Sequence, residues 1–345
     1  MPASMRYLIG LIILLLSPVA ASATLLVVNK SEASVSLHDL PDGRELLRLA
    51  TGEGPHEVAV SPDGATAVVT DYGTREAAGR TLTVVDIPRA LVTGTITLPA
   101  DSRPHGVEWL DEQRVVVTAE GLRSLLVVDV AAAEVEAAIA IDQDVAHMVT
   151  ASPALGRAFV ANIGSGTASA VDLRSERNLA NLESGAGSEG IALADSGREL
   201  WVTNRSAGTV TVFATDSLAR LAQIELPGFP IRAEADDPRG RVYVTLASGD
   251  ALSVIDVATR REVEQVKFAI EPDTSRKTVF GDRLPDSSIP VGVLLAGDGN
   301  ALFVAHSSAH LVSVWNPDTL QQSATIATGL EPDGMAWSPL AVDRR

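Results

Sequence analysis

Three histidines stand in matching sequence contexts and together could hold a metal ion. His56 and His105 each follow a proline, His147 follows an alanine, and the spacings between them are 49 and 42 residues. Glu189 stands in the same context a further 42 residues along the chain. Three neutral imidazoles, with a carboxylate or water as the fourth ligand, suit zinc, copper or iron. The alternative is that each histidine only hydrogen-bonds a neighbouring part of the fold.

Further charged residues stand at or beside equivalent positions. Arg232 directly follows such a position, and Asp333 occupies another. Glu108 lies three residues after His105, and Glu234 lies three residues after the equivalent position at residue 231. A guanidinium group among acids can present a bidentate fork to a carboxylate or phosphate, which favours a polar or anionic small ligand. The alternative is that Arg232 pairs with Glu234 or Glu189 and neutralises the site.

These residues belong to a repeat with a basic period of 42 residues. Seven equivalent positions occur at spacings of 49, 42, 42, 42, 60 and 42 residues, so two units carry insertions of 7 and 18 residues. Seven units and two insertions account for 319 of the 322 residues that follow residue 23. The residues at the repeated position are His56, His105, His147, Glu189, Ile231, Val291 and Asp333.

Each unit has the pattern of four short strands joined by turns. An apolar strand is followed by a turn and by a β-branched run that ends in a polar residue, as in Val68–Asp71 and Trp201–Asn204. A third run usually closes on Asp, as in Leu252–Asp256, and a fourth short strand follows. Four such strands are typical of one propeller blade. We therefore predict an all-β, seven-bladed β-propeller with four antiparallel strands per blade.

The chain does not begin at a unit boundary. Leu25–Asn29, Val35–Asp39 and Glu45–Leu49 supply strands two, three and four of a blade whose first strand is Gly334–Ser338. If the N- and C-termini share one blade, the ring closes without an unpaired sheet edge. We therefore expect a single domain over residues 24–345, although this length often indicates two.

Several repeats resemble the YVTN-repeat β-propeller family, whose members are secreted and seven-bladed. The residues that carry the resemblance are Tyr243-Val-Thr, Trp201-Val-Thr-Asn204 and Ser61-Pro-Asp-Gly64. The resemblance covers nearly all of the chain after residue 23. It implies the fold and export but no single activity, because family members bind varied partners. Leu246 and Ala119 depart from the asparagine of the motif, so no role is transferred to them.

Propeller topology predicts which side chains meet. The connections into the innermost strands open on one face, so the seven repeated positions should form a circle at one mouth of the channel. The insertion within residues 268–289 is expected on the same face, as a lid or a solvated loop. The insertion around residues 72–80 would rim the site from another side. The second strands should add an outer polar rim of Asp71, Asn162, Asn204 and His306, whereas His38 and His310 are read as ordinary strand or turn residues.

Composition and the N-terminus narrow the possible functions. With 44 acidic and 27 basic residues, the net charge of -17 argues against a duplex nucleic-acid partner. The absence of Cys excludes disulfides, thiolate metal sites and a cysteine nucleophile. Arg6, the apolar run Leu8–Leu16 and Ala21-Ser-Ala23 form the pattern of a signal peptide over residues 1–23. We therefore expect a periplasmic or secreted monomer without a membrane anchor after cleavage.

The sequence leaves three functions open. We expect an exported propeller that binds a small polar or anionic ligand, a metal or a periplasmic protein without catalysis, because no nucleophile stands out. The second is a metal-dependent hydrolase or lyase that uses the three histidines, with Glu189 as ligand or general base. The third is a haem-handling propeller, similar to the haem-binding propeller domains of nitrite reductase, with one of these histidines as axial ligand. The distances between the three imidazoles bear on this choice.

Overall fold

The structure, a computed structural model, describes residues 23–276, 278 and 283–343. The segment predicted as a signal peptide lies outside these residues, except for Ala23 at the start of the first strand. No helix within the described ranges is long and apolar enough to cross a membrane.

The described residues form seven four-stranded antiparallel sheets, which confirms the predicted seven-bladed β-propeller. The strands are numbered β1–β28 in chain order. The innermost strands are β4 (Pro55–Val60), β8 (Pro104–Trp109), β12 (Ala146–Ser152), β16 (Ser188–Ala194), β20 (Pro230–Asp236), β24 (Pro290–Leu295) and β28 (Pro332–Ser338). The second strands are β5 (Thr66–Gly73), β9 (Arg114–Ala119), β13 (Arg157–Asn162), β17 (Glu199–Asn204), β21 (Arg241–Leu246), β25 (Leu302–His306) and β1 (Ala23–Asn29).

The outer half of each blade is equally regular. The third strands are β6 (Ala78–Asp86), β10 (Ser124–Asp129), β14 (Thr167–Asp172), β18 (Thr209–Ala214), β22 (Ala251–Asp256), β26 (Leu311–Trp315) and β2 (Ser34–Leu40). The fourth strands are β7 (Leu91–Thr97), β11 (Glu134–Ala140), β15 (Arg177–Glu183), β19 (Arg220–Glu225), β23 (Arg261–Lys267), β27 (Gln322–Ala327) and β3 (Arg44–Ala50). One-turn 3-10 helices cover Lys30–Glu32, Glu120–Leu122 and Asp237–Arg239.

The two ends of the chain meet in one blade, as the sequence predicts. Strand β1 pairs with β28, with Leu25 opposite Trp337 and Leu26 opposite Ala336. The sheet continues through β2 and β3, so its order is β28-β1-β2-β3. The last strand therefore supplies the missing innermost strand and closes the ring.

Apolar faces of neighbouring blades pack against one another. Trp201 and Val212 of one blade form a buried cluster with Val242 and Val244 of the next. The fourth strands are largely exposed, and Arg177–Glu183 alternates exposed and partly buried residues because only its inner face meets the core. Contacts between successive innermost strands run around the whole ring.

Every innermost strand carries a β-bulge at the same place. In β4, Pro55 pairs with Asp71 and Val58 pairs with Val69, so that His56 and Glu57 are left out of the ladder. The other six innermost strands show the same register shift. A bulge bends the strand and re-aims its side chains. The repeated position identified in the sequence is thus a bulge position in all seven blades.

Threonines of the second strands hold several of these bulges. The Thr203 hydroxyl accepts a hydrogen bond from the Gly190 amide at 2.8 Å and donates to the Ile231 carbonyl of the next blade at 2.8 Å. The threonine of the Val-Thr-Asn motif therefore ties one bulge to the next. The same pair of bonds is made by Thr70, Thr118 and Thr245.

Candidate functional site

The circle of seven bulge positions has an apolar side with two positions and a polar side with five. Ile231 and Val291 belong to a buried apolar cluster with Ala247 and Ile289, against which Leu284 packs. The other bulge positions are the polar ones described next, and they lie on successive blades of the ring: Asp333, His56, His105, His147 and Glu189.

The structure brings the three histidine rings together in a row, called the histidine stack below, in which His56 meets His105 edge-on at an interplanar angle of 64° and His147 is tilted by 36° relative to His105. The ring centroids of His56 and His105 are 4.7 Å apart, and those of His105 and His147 are 3.5 Å apart. Tyr72, at the end of β5, lies against the same stack at 4.6 Å from His56. The side chains are therefore close enough to act on one bound group.

Each imidazole has a different set of partners. Nδ1 of His56 donates to the Gly54 carbonyl at 2.8 Å, which leaves Nε2 as the acceptor nitrogen. His147 Nδ1 lies 2.6 Å from Glu120 Oε1, and its Nε2 lies 3.7 Å from Glu189 Oε1. His105 is 2% exposed, and its Nδ1 has no hydrogen-bond partner among the described residues. A buried polar atom without a partner needs an explanation, and an ion or water bound to it is one.

A second circle of side chains, which the sequence analysis missed, lies over the first. It consists of the residues that directly follow the repeated polar position of each second strand, the position of Asp71 and Asn204. Side chains alternate along a strand, so a residue one place further faces the other way. The signal that could have found them was the repeat alignment itself, read one residue further. Four of these residues lie on the polar side of the circle, where they contact the bulge residues or one another: Lys30, Tyr72, Glu120 and Arg205.

Glu120 completes a set of three possible metal ligands. Ligand atoms of His105, Glu120 and His147 all lie within 4.8 Å of one another. The other carboxylate oxygen of Glu120 accepts a hydrogen bond from the Tyr72 hydroxyl at 2.7 Å. Glu120 sits in the 3-10 helix that follows β9. Glu189, the carboxylate that the repeat predicts, lies farther from His147 than Glu120 does.

Burial and neighbouring charges set the protonation of the stack. Burial, with a contribution from Lys30, lowers the pKa of His56 to about 4. Burial and the neighbouring His147 hold the pKa of His105 well below its usual range. Burial also acts to lower the pKa of His147, but the hydrogen bond to Glu120 and the Glu189 carboxylate outweigh burial. The pKa of His147 is therefore raised. His56 and His105 are thus neutral near pH 7, and His147 is the ring of the three that binds a proton most readily.

Arg232 lies beneath the histidines and is fully engaged by carboxylates. Its guanidinium contacts Glu57 at 2.7 Å, Glu189 at 3.4 Å and Asp333 at 3.9 Å. Arg205 also contacts Glu189, at 2.5 Å. Arg232 therefore pairs with Glu189, one of the two partners expected from the sequence, and it does not line the open surface over the histidine stack.

Glu108 and Glu234 lie on β8 and β20, three residues beyond the bulge positions. Burial raises the pKa of Glu108 to about 7. Burial, together with repulsion from Glu108 and Asp236, raises the pKa of Glu234 to about 8. Glu234 accepts a hydrogen bond from the Leu295 amide at 3.2 Å. An open depression lies over the histidine stack, and these two acids do not line it.

His306 does not join the circle at the mouth. It is fully buried, with Nδ1 2.7 Å from the Ser288 hydroxyl and Nε2 2.8 Å from the Ser313 hydroxyl. The asparagines at the same strand position act likewise: Asn204 donates to Thr209 and Thr211. This position therefore fastens the third strand to the second, which corrects the expectation of an outer polar rim.

An open depression of about 1110 Å³ lies over the histidine stack. Its floor includes His56, His105 and His147, and one wall is formed by Tyr72–Arg75, in the region of the shorter insertion. The described part of the longer insertion covers the apolar side of the circle instead, where Leu284 packs against the cluster of Ile231 and Val291. Its Asp273 amide donates to the Ser308 carbonyl at 2.7 Å, and none of its described residues lines the depression. Residues 277 and 279–282 of the expected lid lie outside the described residues.

Solved structures of low sequence identity share this fold. A functionally unknown protein from Desulfotomaculum acetoxidans DSM 771 matches 93% of this chain and 99% of its own, with a TM-score of 0.74 and 14% identity. The Pseudomonas aeruginosa periplasmic gluconolactonase PpgL matches 92% of this chain and 99% of its own, with a TM-score of 0.70 and 18% identity. Dihydro-heme d1 dehydrogenase NirN, in complex with DHE, matches 91% of this chain and 74% of its own, with a TM-score of 0.63 and 14% identity.

Sequence comparisons reach less of the chain. Antigen Lp49 of Leptospira interrogans serogroup Icterohaemorrhagiae serovar copenhageni (strain Fiocruz L1-130) is 34% identical over 112 residues. The match covers 32% of this chain and 21% of that protein. No family model matches the chain, so membership of the YVTN-repeat family stays a prediction.

Proposed function

We propose that this protein is an exported binding propeller that holds a divalent transition metal at the channel mouth through His105, His147 and Glu120. The observation that carries the proposal is the buried, unpartnered Nδ1 of His105, in a group whose ligand atoms lie within 4.8 Å of one another. A small ligand would enter through the depression and take the metal's open position.

The donor set fits zinc, copper or iron. Two imidazoles and one carboxylate are common ligands for these ions. Metal–ligand distances of about 2.1 Å place ligand atoms about 3.4 Å apart. The widest separation, up to 4.8 Å, would have to close by roughly 1 Å, and the hydrogen-bonded His147 Nδ1 and Glu120 Oε1, now 2.6 Å apart, would have to separate by nearly as much. The proton between His147 and Glu120 would be displaced by the metal. His56, whose Nε2 is the acceptor nitrogen, is available as a fourth ligand.

The role of Tyr72 supports the same reading. Its hydroxyl binds Glu120 Oε2 at 2.7 Å, while Glu120 Oε1 faces His147. A hydrogen bond to one oxygen of a carboxylate fixes its orientation and leaves the other oxygen for a metal.

Zinc binding to the purified chain after residue 23 tests the proposal. Calorimetry should show one zinc site, and Co²⁺ should give the visible absorption of a coordinated ion. His105→Ala and Glu120→Gln should each weaken zinc binding by more than about tenfold. His310→Asn is the matched control, because His310 lies outside the mouth and Asn retains an acceptor for the Glu331 amide. Zinc affinity that is unchanged in both mouth variants would refute the site.

Metal-assisted hydrolysis or elimination is the second candidate for the same site. It is supported by the depression, in which substrate could reach a metal-bound water, and a similar structure is that of a periplasmic gluconolactonase. Zinc-loaded protein that turns over δ-gluconolactone or related lactones, and loses this activity in Glu120→Gln, would favour the enzyme. If zinc binds but no lactone or ester is hydrolysed, the binding function is favoured.

Haem is the competing use of these histidines. NirN, one of the similar structures, was solved in complex with DHE. A Soret shift on haem titration that zinc prevents would favour a haem-handling role. An unchanged Soret band would exclude it.

A further inference from the structure

Lys30 places a positive charge beside the histidine stack. It follows the last residue of β1 and opens a 3-10 helix, and its side chain is 11% exposed. Its ammonium lies 3.4 Å from Asp333 Oδ2, a long contact for a charged pair. An ammonium group has three N–H donors, so one long contact leaves donor capacity for a ligand.

Several features direct that charge toward the depression. Lys30 lines the same depression as His56, His105 and His147. Its charge contributes to the lowered pKa of both His56 and His105, as expected for an ammonium group near these rings. Asp333 is shared with Arg232 and so compensates Lys30 only in part.

Arg103 supplies a second cation on the far side of His56. Its guanidinium lies over the Tyr72 ring at 5.2 Å, and Nη1 donates to the Thr74 carbonyl at 3.0 Å. Stacking and one backbone bond hold the group in place while its other N–H donors face a space that a ligand can enter. Lys30 and Arg103 belong to the two blades that flank the blade of His56.

Two of the acids around the depression already have partners. Glu32 pairs with Arg48 on the outer side of the mouth. Glu331 accepts a hydrogen bond from the Ser31 hydroxyl. The lining also contains Glu53 and Arg75, so three acids face three cations. Because Arg48 compensates Glu32, the cations outnumber the acids left to oppose a bound anion.

We propose that Lys30 and Arg103 form an oxyanion site in the depression, which holds the carboxylate or phosphate group of a small ligand. A second donor of that ligand would occupy the open position of the metal, so this part of the inference rests on the proposed function. Lys30 thereby takes the anion-binding role that the sequence analysis expected of Arg232.

Binding of succinate and of inorganic phosphate, with neutral succinamide for comparison, tests the site by calorimetry with and without zinc. Lys30→Met should weaken oxyanion binding about ten- to a hundredfold and leave zinc binding no weaker, while Lys30→Arg should keep most of the affinity. Lys267→Met is the matched control, because Lys267 lies on the exposed strand β23. Arg103→Ala gives a second variant, without a buried partner, and should weaken binding about tenfold.

The outcomes separate this inference from the metal site. If zinc binds but wild type binds neither anion, or if Lys267→Met loses as much affinity as Lys30→Met, the oxyanion site is refuted and the metal site stands. If the anions bind through Lys30 but zinc does not bind, the metal site fails and the oxyanion site stands. Tighter succinate supports an organic acid as the ligand, and tighter phosphate supports a phosphate ester.

Discussion

The buried carboxyl of Glu234 should make the propeller less stable as the pH rises. Glu234 lies on the innermost strand β20 and is only partly exposed, and burial and the nearby acids raise its pKa to about 8. In the unfolded chain the pKa returns to its ordinary value near 4.5. Because the pKa of this carboxyl is higher in the folded chain than in the unfolded chain, its contribution to stability is fully present at pH values below the unfolded pKa. That contribution is lost as the pH rises toward the folded pKa.

The size of the effect follows from these two values. Each pH unit between them costs about 1.4 kcal/mol of unfolding free energy, so the interval from pH 5 to pH 8 sets an upper bound of about 4 kcal/mol. Since the side chain is partly exposed, we take roughly half of this, about 2 kcal/mol. Glu234→Gln retains an acceptor for the Leu295 amide and removes the charge.

Urea unfolding followed by tryptophan fluorescence measures this directly. At pH 5 the Gln variant should be close to wild type, and at pH 8 it should be more stable by about 2 kcal/mol. Glu225→Gln, at an exposed position at the end of β19, controls for the loss of one negative charge. A stability difference between Glu234→Gln and wild type that is the same at pH 5 and pH 8 would contradict the reasoning.

Three further predictions concern closure, the bulges and the metal. Deleting Asp333–Arg345 removes most of the strand that closes the ring and should abolish cooperative unfolding; a deletion variant that melts like the full chain would show that closure is dispensable. Thr203→Val leaves a buried amide without its acceptor and should cost about 1–3 kcal/mol in urea unfolding, whereas an unchanged midpoint would mean that the hydroxyl holds nothing. Tyr72→Phe should weaken zinc binding about tenfold without altering the fold, and this loss should disappear in a Glu120→Gln background, as calorimetry of the double variant can show.

The fold was predictable because the repeat recurs in both spacing and chemistry. The seven equivalent positions and the β-branched runs predicted the number of blades. The missing first strand at the N-terminus predicted the pairing of β1 with β28. The clustering of His56, His105 and His147 followed from topology alone, since adjacent blades bring equivalent residues together.

The partners of the histidines were harder to predict. Glu120 and Lys30 lie in 3-10 turns just beyond the second strands, one residue past the repeated polar position. Their approach to the stack depends on turn geometry, which repeat spacing does not encode. The pairing of Arg232 with Glu57 spans 175 residues and depends on which side chains meet across the channel.

The shared bulge has a consequence for how such a protein can be altered. The seven repeated positions, and the seven residues that directly follow the repeated polar position of the second strands, lie outside or at the ends of the paired ladders. Glu189 and Asp333 also pair with the buried Arg232, and Ile231 and Val291 belong to a buried apolar cluster, so exchange is costly there. At the other positions, side chains can be exchanged while the backbone pairing and the threonine hydrogen bonds remain in place. These other positions are therefore suitable for a combinatorial library, from which variants with a new ligand preference can be selected while the fold is kept.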